Sequence, residues 1–347
     1  MNAISMFRWF LGLVFILSLS STSAESNENE QKLNVVTTLS VLKYIAQEVG
    51  GDRVVVHSLS DPRQDPHFVQ PRPTLMKKAR GADVFIEVGL QLELWSQKVI
   101  DGTGNPKIQT GQPGRVIAST GISTLELPQV LSREWGDVHP YGNPHVWLDP
   151  LNVKKMASNI ANAFQRLDPS HENEYSSRLQ AFDARIDTSL FDEKLLHSVG
   201  ARKLTRLAEQ GILSDYLKDK QLTEELGGWL EKAECLRGEQ IVTYHKTWIY
   251  LARRFGLTIP VEIEDKPGIT PSARHRDYVI QVVEQNEIKA LVVSSFYDRS
   301  AADYIAEKTG ADVVVVPIDI GTEGIDNYFA LIDRLISKIC APLRGGA

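Results

Sequence analysis

At 347 residues, the chain exceeds the ~250–300 residues at which a single hydrophobic core stops growing, so two domains are expected. Hydrophobic residues make up 42% and charged residues 24%, an ordinary globular balance that excludes bulk disorder. The net charge of −6, with both signs mixed along the sequence, gives nucleic acid no electrostatic hold on the protein.

Taken in chain order, the first segment is an export signal. Arg8 precedes the apolar run 9–17, and the small-residue stretch 18–24 follows, with Thr22 and Ala24 at the small-residue positions of a cleavage site. The run is shorter than the ~20 residues that span a bilayer. Residues 1–24 are therefore expected to be a cleaved signal peptide, and no cysteine follows the run to carry a lipid. The mature protein is expected to be soluble and periplasmic. Cys235 and Cys340 are the two cysteines; an oxidising compartment permits pairing, and the sequence leaves open whether they pair.

Residues 25–32 read as a flexible polar leader. Short β-branched runs then alternate with helical patterns: strands at 33–39, 54–59, 84–88 and 116–119, helices at 41–49, 74–80 and 92–100. Apolar runs of this length between amphipathic stretches predict a parallel sheet covered on both faces. Val153, Met156, Ile160, Phe164 and Leu167 form one helical stripe. A second stripe, from Tyr175 to Leu190 and on towards Leu196, predicts one long linking helix over 169–197, with Pro169 in its first turn. Residues 198–238 read as a helical insertion.

Alternation resumes with strands at 240–244, 257–263, 290–294 and 313–316, and helices at 248–255, 272–286, 301–308 and 326–339. The expected architecture is α/β: two (β/α)4 lobes with four-stranded parallel sheets, 33–168 and 239–341, joined by a long rigid helix.

Of eight histidines, three have settings that suit a metal ligand. His67 lies in Asp65-Pro66-His67 after the second strand, and His145 in Asn143-Pro144-His145-Val146-Trp147-Leu148-Asp149-Pro150 past the fourth. His245 ends the strand 240–244, and Asp319 follows the strand 313–316. All four fall at or beyond the carboxyl ends of strands, where open α/β sheets place ligands. Three imidazoles and one carboxylate suit a tetrahedral, borderline-soft ion such as Zn²⁺. His57, inside a strand, is expected to be core or partly buried. His171, His197 and His275 read as solvated, and His139 as an exposed loop residue, with a weak accessory ligand as the alternative.

These segments, with Thr243-Tyr244-His245, resemble the ligand motifs of the zinc/manganese substrate-binding proteins of ABC transporters. The resemblance covers the mature chain outside 200–238. It implies two lobes with the metal between them, small lobe movement, no catalysis, and partnership with a membrane permease and a cytoplasmic ATPase. By position, His67, His145, His245 and Asp319 match the four ligands, and a histidine rather than a glutamate at the third favours zinc over manganese or iron. Lys246 departs from the family, which often has an acidic residue there. The expected function is Zn²⁺ capture and delivery by a monomer. The alternatives are a manganese or iron carrier of the same class and, from another class, a zinc hydrolase using Glu262 or Glu264 as base.

Overall fold

The computed structural model describes residues 32–128 and 139–344; the signal-peptide and leader expectations at 1–31 lie outside them. Among the described residues no helix is long and apolar enough to cross a membrane.

The first sheet contains β1 (Leu33–Thr37), β2 (Val54–Ser58), β3 (Val84–Glu87) and β4 (Arg115–Ile117). All neighbours are parallel, in the order β2-β1-β3-β4. Side chains alternate between faces along a strand, and both faces are filled. Val35, Val84 and Ile86 enter one core with α1 (Ser40–Gly50), while Val36 and Phe85 enter another. That second core holds residues of α2 (Pro73–Ala79) and α3 (Ser96–Thr103). β2 is an edge strand, so its outer positions meet solvent: Val55 is 39% exposed and His57, expected to be core or partly buried, is exposed.

α4 (Pro150–Leu167) packs its apolar stripe of Val153, Met156, Ile160 and Phe164 into the first core. α5 (Glu172–Leu190) lies alongside, but the long linking helix stops there. Phe191 is extended and buried, and Asp192 caps a new helix, α6 (Glu193–Val199), by accepting from Lys194 N. The break follows from packing. Gly227 and Gly228 press against Asp192 and Leu190, where a Cβ on Gly227 would meet Asp192 Cβ at 2.2 Å.

The insertion forms α7 (Ala201–Glu209), α8 (Leu213–Asp219) and α9 (Gly228–Lys232). Its Trp229 stacks on Phe329, with ring centroids 5.8 Å apart, so it is a buttress for the C-terminal helix. Cys235 and Cys340 are disulfide-bonded, with Cα atoms 5.7 Å apart, and fasten the insertion to that helix.

The second sheet is formed by β5 (Val242–Thr243), β6 (Ala290–Ser294) and β7 (Asp312–Val316); α10 (Ile249–Phe255) and α11 (Ala273–Gln285) lie between β5 and β6 in the chain, α12 (Ser300–Thr309) lies between β6 and β7, and α13 (Tyr328–Leu343) follows β7. The sheet is parallel, three-stranded and ordered β5-β6-β7. The expected strand at 257–263 only bridges the sheet edge, at Thr258 and Glu262. Pro260 has no N–H to give, which confines such a segment to an edge. Ala290, Val292, Val314 and Val316 join the same core as Val35 and Ile86. One continuous core therefore runs under both sheets.

Candidate metal centre

His67, His145 and His245 are brought together, each with a potential ligand atom within 4.8 Å of those of the other two. Ring centroids stand 5.2 Å apart for His67 and His145, 5.5 Å for His67 and His245, and 5.8 Å for His145 and His245.

Each ring is fixed from its Nδ1 side. At His67, Asp65 Oδ1 accepts from the backbone N at 2.9 Å and lies 2.7 Å from Nδ1. His145 repeats this with Asn143 Oδ1, at 3.0 Å from both its N and its Nδ1. In both, an Asx oxygen two residues upstream of the histidine, across a proline, holds backbone and ring together. At His245 the partner is remote in sequence: Glu264 Oε2 lies 2.8 Å from Nδ1 and accepts from Gly268 N at 3.1 Å. A carboxylate only accepts, so Nδ1 of His67 and of His245 carries the proton and Nε2 keeps its lone pair. Such carboxylate–imidazole pairs orient metal-binding histidines. Glu264 is thereby engaged as an orienting group and is not a free base.

His145 is 1% exposed and His245 4% exposed. Burial, with His67, His245 and His139 nearby, pushes the His145 pKa well below its ordinary value, which favours the neutral, metal-binding form. Tyr297 reaches from the second lobe to hydrogen-bond Asp65; burial, then Asp65 and Glu264, push its pKa up. Tyr297 also stacks on Tyr244 with centroids 4.7 Å apart.

The rest of the eight-residue motif at His145 is structural. Trp147 Nε1 donates to Ile318 O at 2.7 Å, and Tyr328 OH donates to Trp147 O at 2.9 Å. Asp149 accepts Leu151 N at the start of α4 and a two-pronged pair from Arg254, at 2.7 Å on each oxygen. Trp95 Nε1 braces the His67 turn by donating to Pro66 O at 2.8 Å. Lys246 is exposed; only its carbonyl faces inward, accepting from Asn143.

Asp319 stands outside the three-histidine cluster. Its Oδ1 accepts from Val41 N at 2.7 Å and Ile320 N at 2.8 Å, and its Oδ2 from Ser40 N at 3.0 Å. It caps α1, whose own N-cap residue, Leu39, supplies no side-chain bond. Burial raises its pKa to about 6, against the pull of those three N–H groups.

His139, expected to be an exposed loop residue, is half-buried, with Nε2 3.2 Å from His67 Nε2 and ring centroids 5.2 Å apart. Its ring also bonds the Leu90 backbone. Gly89, Leu90 and Gln91 all have positive φ there, at 87°, 56° and 65°. Glu93 holds this strained turn by accepting from Val88 N at 2.8 Å and Gly89 N at 3.1 Å.

The family model described as zinc-uptake complex component A, periplasmic (ZnuA) matches residues 35–193 and 219–341, leaving out 194–218, most of which lies in the insertion. The iron-binding protein YfeA of Yersinia pestis is 28% identical over 340 residues, covering 94% of this chain and 93% of the relative. The manganese ABC transporter substrate-binding lipoprotein PsaA of Streptococcus pneumoniae is 30% identical over 342 residues, covering 96% of each. A crystal structure of ZnuA superposes with a TM-score of 0.67 at 20% identity, covering 90% of this chain and 100% of that one. The Mn-bound periplasmic metal binding protein from Candidatus Liberibacter asiaticus gives 0.61 at 21% identity, with 90% and 100% covered. These superpositions show a shared fold.

Proposed function

This chain belongs to the periplasmic zinc-uptake component A family, and we propose that the ion it captures is Zn²⁺, held by His67, His145 and His245. Proteins of this family are substrate-binding components of metal ABC transporters, not enzymes, and work with a membrane permease and an ATPase. The observation that carries the zinc reading is the three buried imidazoles, each pinned through Nδ1. A nitrogen-only cluster suits zinc, whereas manganese prefers oxygen donors. Asp319, the fourth ligand expected from the sequence, has both oxygens engaged by α1.

The manganese or iron reading draws on the names of PsaA and YfeA. Metal analysis of protein purified without chelators, then calorimetric competition between zinc and manganese, separates the two. Zinc bound in preference to manganese, with binding lost in His145→Ala, is the expected result. Manganese preference, or unchanged zinc binding by His145→Ala, overturns it. The reading includes release into the periplasm as a monomer after cleavage following Ala24. A mature mass starting at Glu25, without lipid, checks the cleavage.

A further inference from the structure

We infer that Tyr250 is a positioning residue of the metal centre: its hydroxyl, from the second lobe, holds the backbone that carries His145, so that His145 and His245 are set as one unit. The inference rests on the three-histidine reading above and adds to it a residue outside the cluster. α10 is the first α-helix after His245 and carries Tyr250 and Arg254, which share a face because they are four residues apart. Tyr250 is 1% exposed. Its hydroxyl donates to Asn143 O at 2.7 Å and accepts from Leu125 N at 3.1 Å. Asn143 N donates to Leu125 O at 2.8 Å. In an antiparallel residue pair both N–H···O bonds are direct; here one is direct and the phenol oxygen of the other lobe bridges the second.

Asn143 returns the contact. Its Oδ1 holds the backbone N and Nδ1 of His145, while its Nδ2 donates to the carbonyl of Lys246, the residue after His245. One side chain therefore touches the second ligand and the backbone beside the third, and Tyr250 fixes that same residue through its carbonyl. Arg254, on the same helix face, takes the far end of the motif through Asp149. Tyr250→Phe keeps the ring and its packing but leaves Asn143 O and Leu125 N without their shared partner. A buried donor and acceptor stranded side by side regain a bond by closing on each other. That closure draws Asn143 away from Lys246 and shifts His145 against His245.

The test uses the mature chain as wild type, Tyr250→Phe, His145→Ala and a Cys235→Ser, Cys340→Ser double variant. The last is weakened where the insertion meets α13 and shows what lost stability alone does to binding. Zinc affinity is read by chelator competition, and ligand geometry by the visible spectrum of the cobalt-loaded protein. Tyr250→Phe is expected to lose about tenfold in zinc affinity, the lower end of what outer partners of a metal site contribute, and to change the cobalt spectrum. The cysteine variant should keep both at wild type. Wild-type affinity and spectrum in Tyr250→Phe, or a loss that the cysteine variant shares, overturns the inference. Should Tyr250→Phe fail to fold, amide hydrogen exchange at Leu125 in wild type decides instead. Coupling is reciprocal, so zinc should slow that exchange, and an unchanged rate overturns the inference. The zinc reading itself falls only if wild type does not bind zinc or His145→Ala binds it normally.

Discussion

Glu264 is not itself an expected ligand, yet removing it should weaken zinc binding. Its Oε2 lies 2.8 Å from His245 Nδ1, and the residue is 8% exposed, so water does not replace it cheaply. Glu264→Ala leaves the His245 ring free to turn and its buried N–H unpaired. Glu264→Gln keeps an oxygen acceptor of the same shape and loses only the charge that raises imidazole basicity. Outer partners of this kind are worth ~10–100-fold in affinity, or about 1.4–2.8 kcal/mol at 1.4 kcal/mol per decade. The glutamine variant belongs near the tenfold end and the alanine variant near the hundredfold end. Competition with a chromophoric chelator at fixed pH and salt measures both, and melting of the metal-free proteins separates misfolding from lost affinity. Glu262→Ala, two residues away, should stay near wild type. If Glu264→Ala binds zinc as wild type does while His145→Ala does not, the argument that Nδ1 partners set ligand strength is wrong.

Arg254→Leu strands the buried Asp149 carboxylate and should destabilise by about 3–5 kcal/mol, read as the shift in urea midpoint; a change below 1 kcal/mol would mean the charge finds water. The Cys235–Cys340 bridge spans 105 residues, and in the chain-entropy model opening such a loop costs up to about 4.7 kcal/mol. A Cys235→Ser, Cys340→Ser double variant should therefore unfold at clearly lower urea without losing zinc affinity. Asp183 Oδ1 is buried and accepts no hydrogen bond, and burial raises its pKa from 3.8 to about 6. A raised carboxyl pKa contributes stability below pH 3.8 that is lost as pH rises through about 6. Asp183→Asn should thus stabilise by ~1–2 kcal/mol at pH 8, after allowance for partial exposure, with the gain vanishing by pH 4; a pH-independent difference contradicts the assignment.

How much of this site was legible depends on how far each contact reaches. The strand–helix alternation placed His67, His145 and His245 beyond strand ends because period and length are local properties. Edge position is not local, so neither the exposure of His57 nor the reduction of 257–263 to bridges could be read. Nor could the break at Phe191, which depends on Gly227 and Gly228 arriving from the insertion. Asp319 was placed correctly after its strand, but its role is decided by Ser40, 279 residues away. His139 carried no periodic signal, and only the fold shows what its ring faces.

The ligands themselves divide along the same line. His67 and His145 are each oriented by an oxygen two residues upstream, so their geometry is written into a three-residue unit. His245 is oriented by Glu264, 19 residues downstream, and is set only once the second sheet has formed. In the proposed site the two locally fixed imidazoles form one half, and the third, His245, is placed by its contact with Glu264. The lobes share one continuous core, and Trp147, Ile318 and Tyr328 bond across it. Large lobe rotation would break those buried bonds, each costing about 1–3 kcal/mol if left unpaired. Metal entry and release must therefore work through the turns that carry the ligands and not through separation of the lobes.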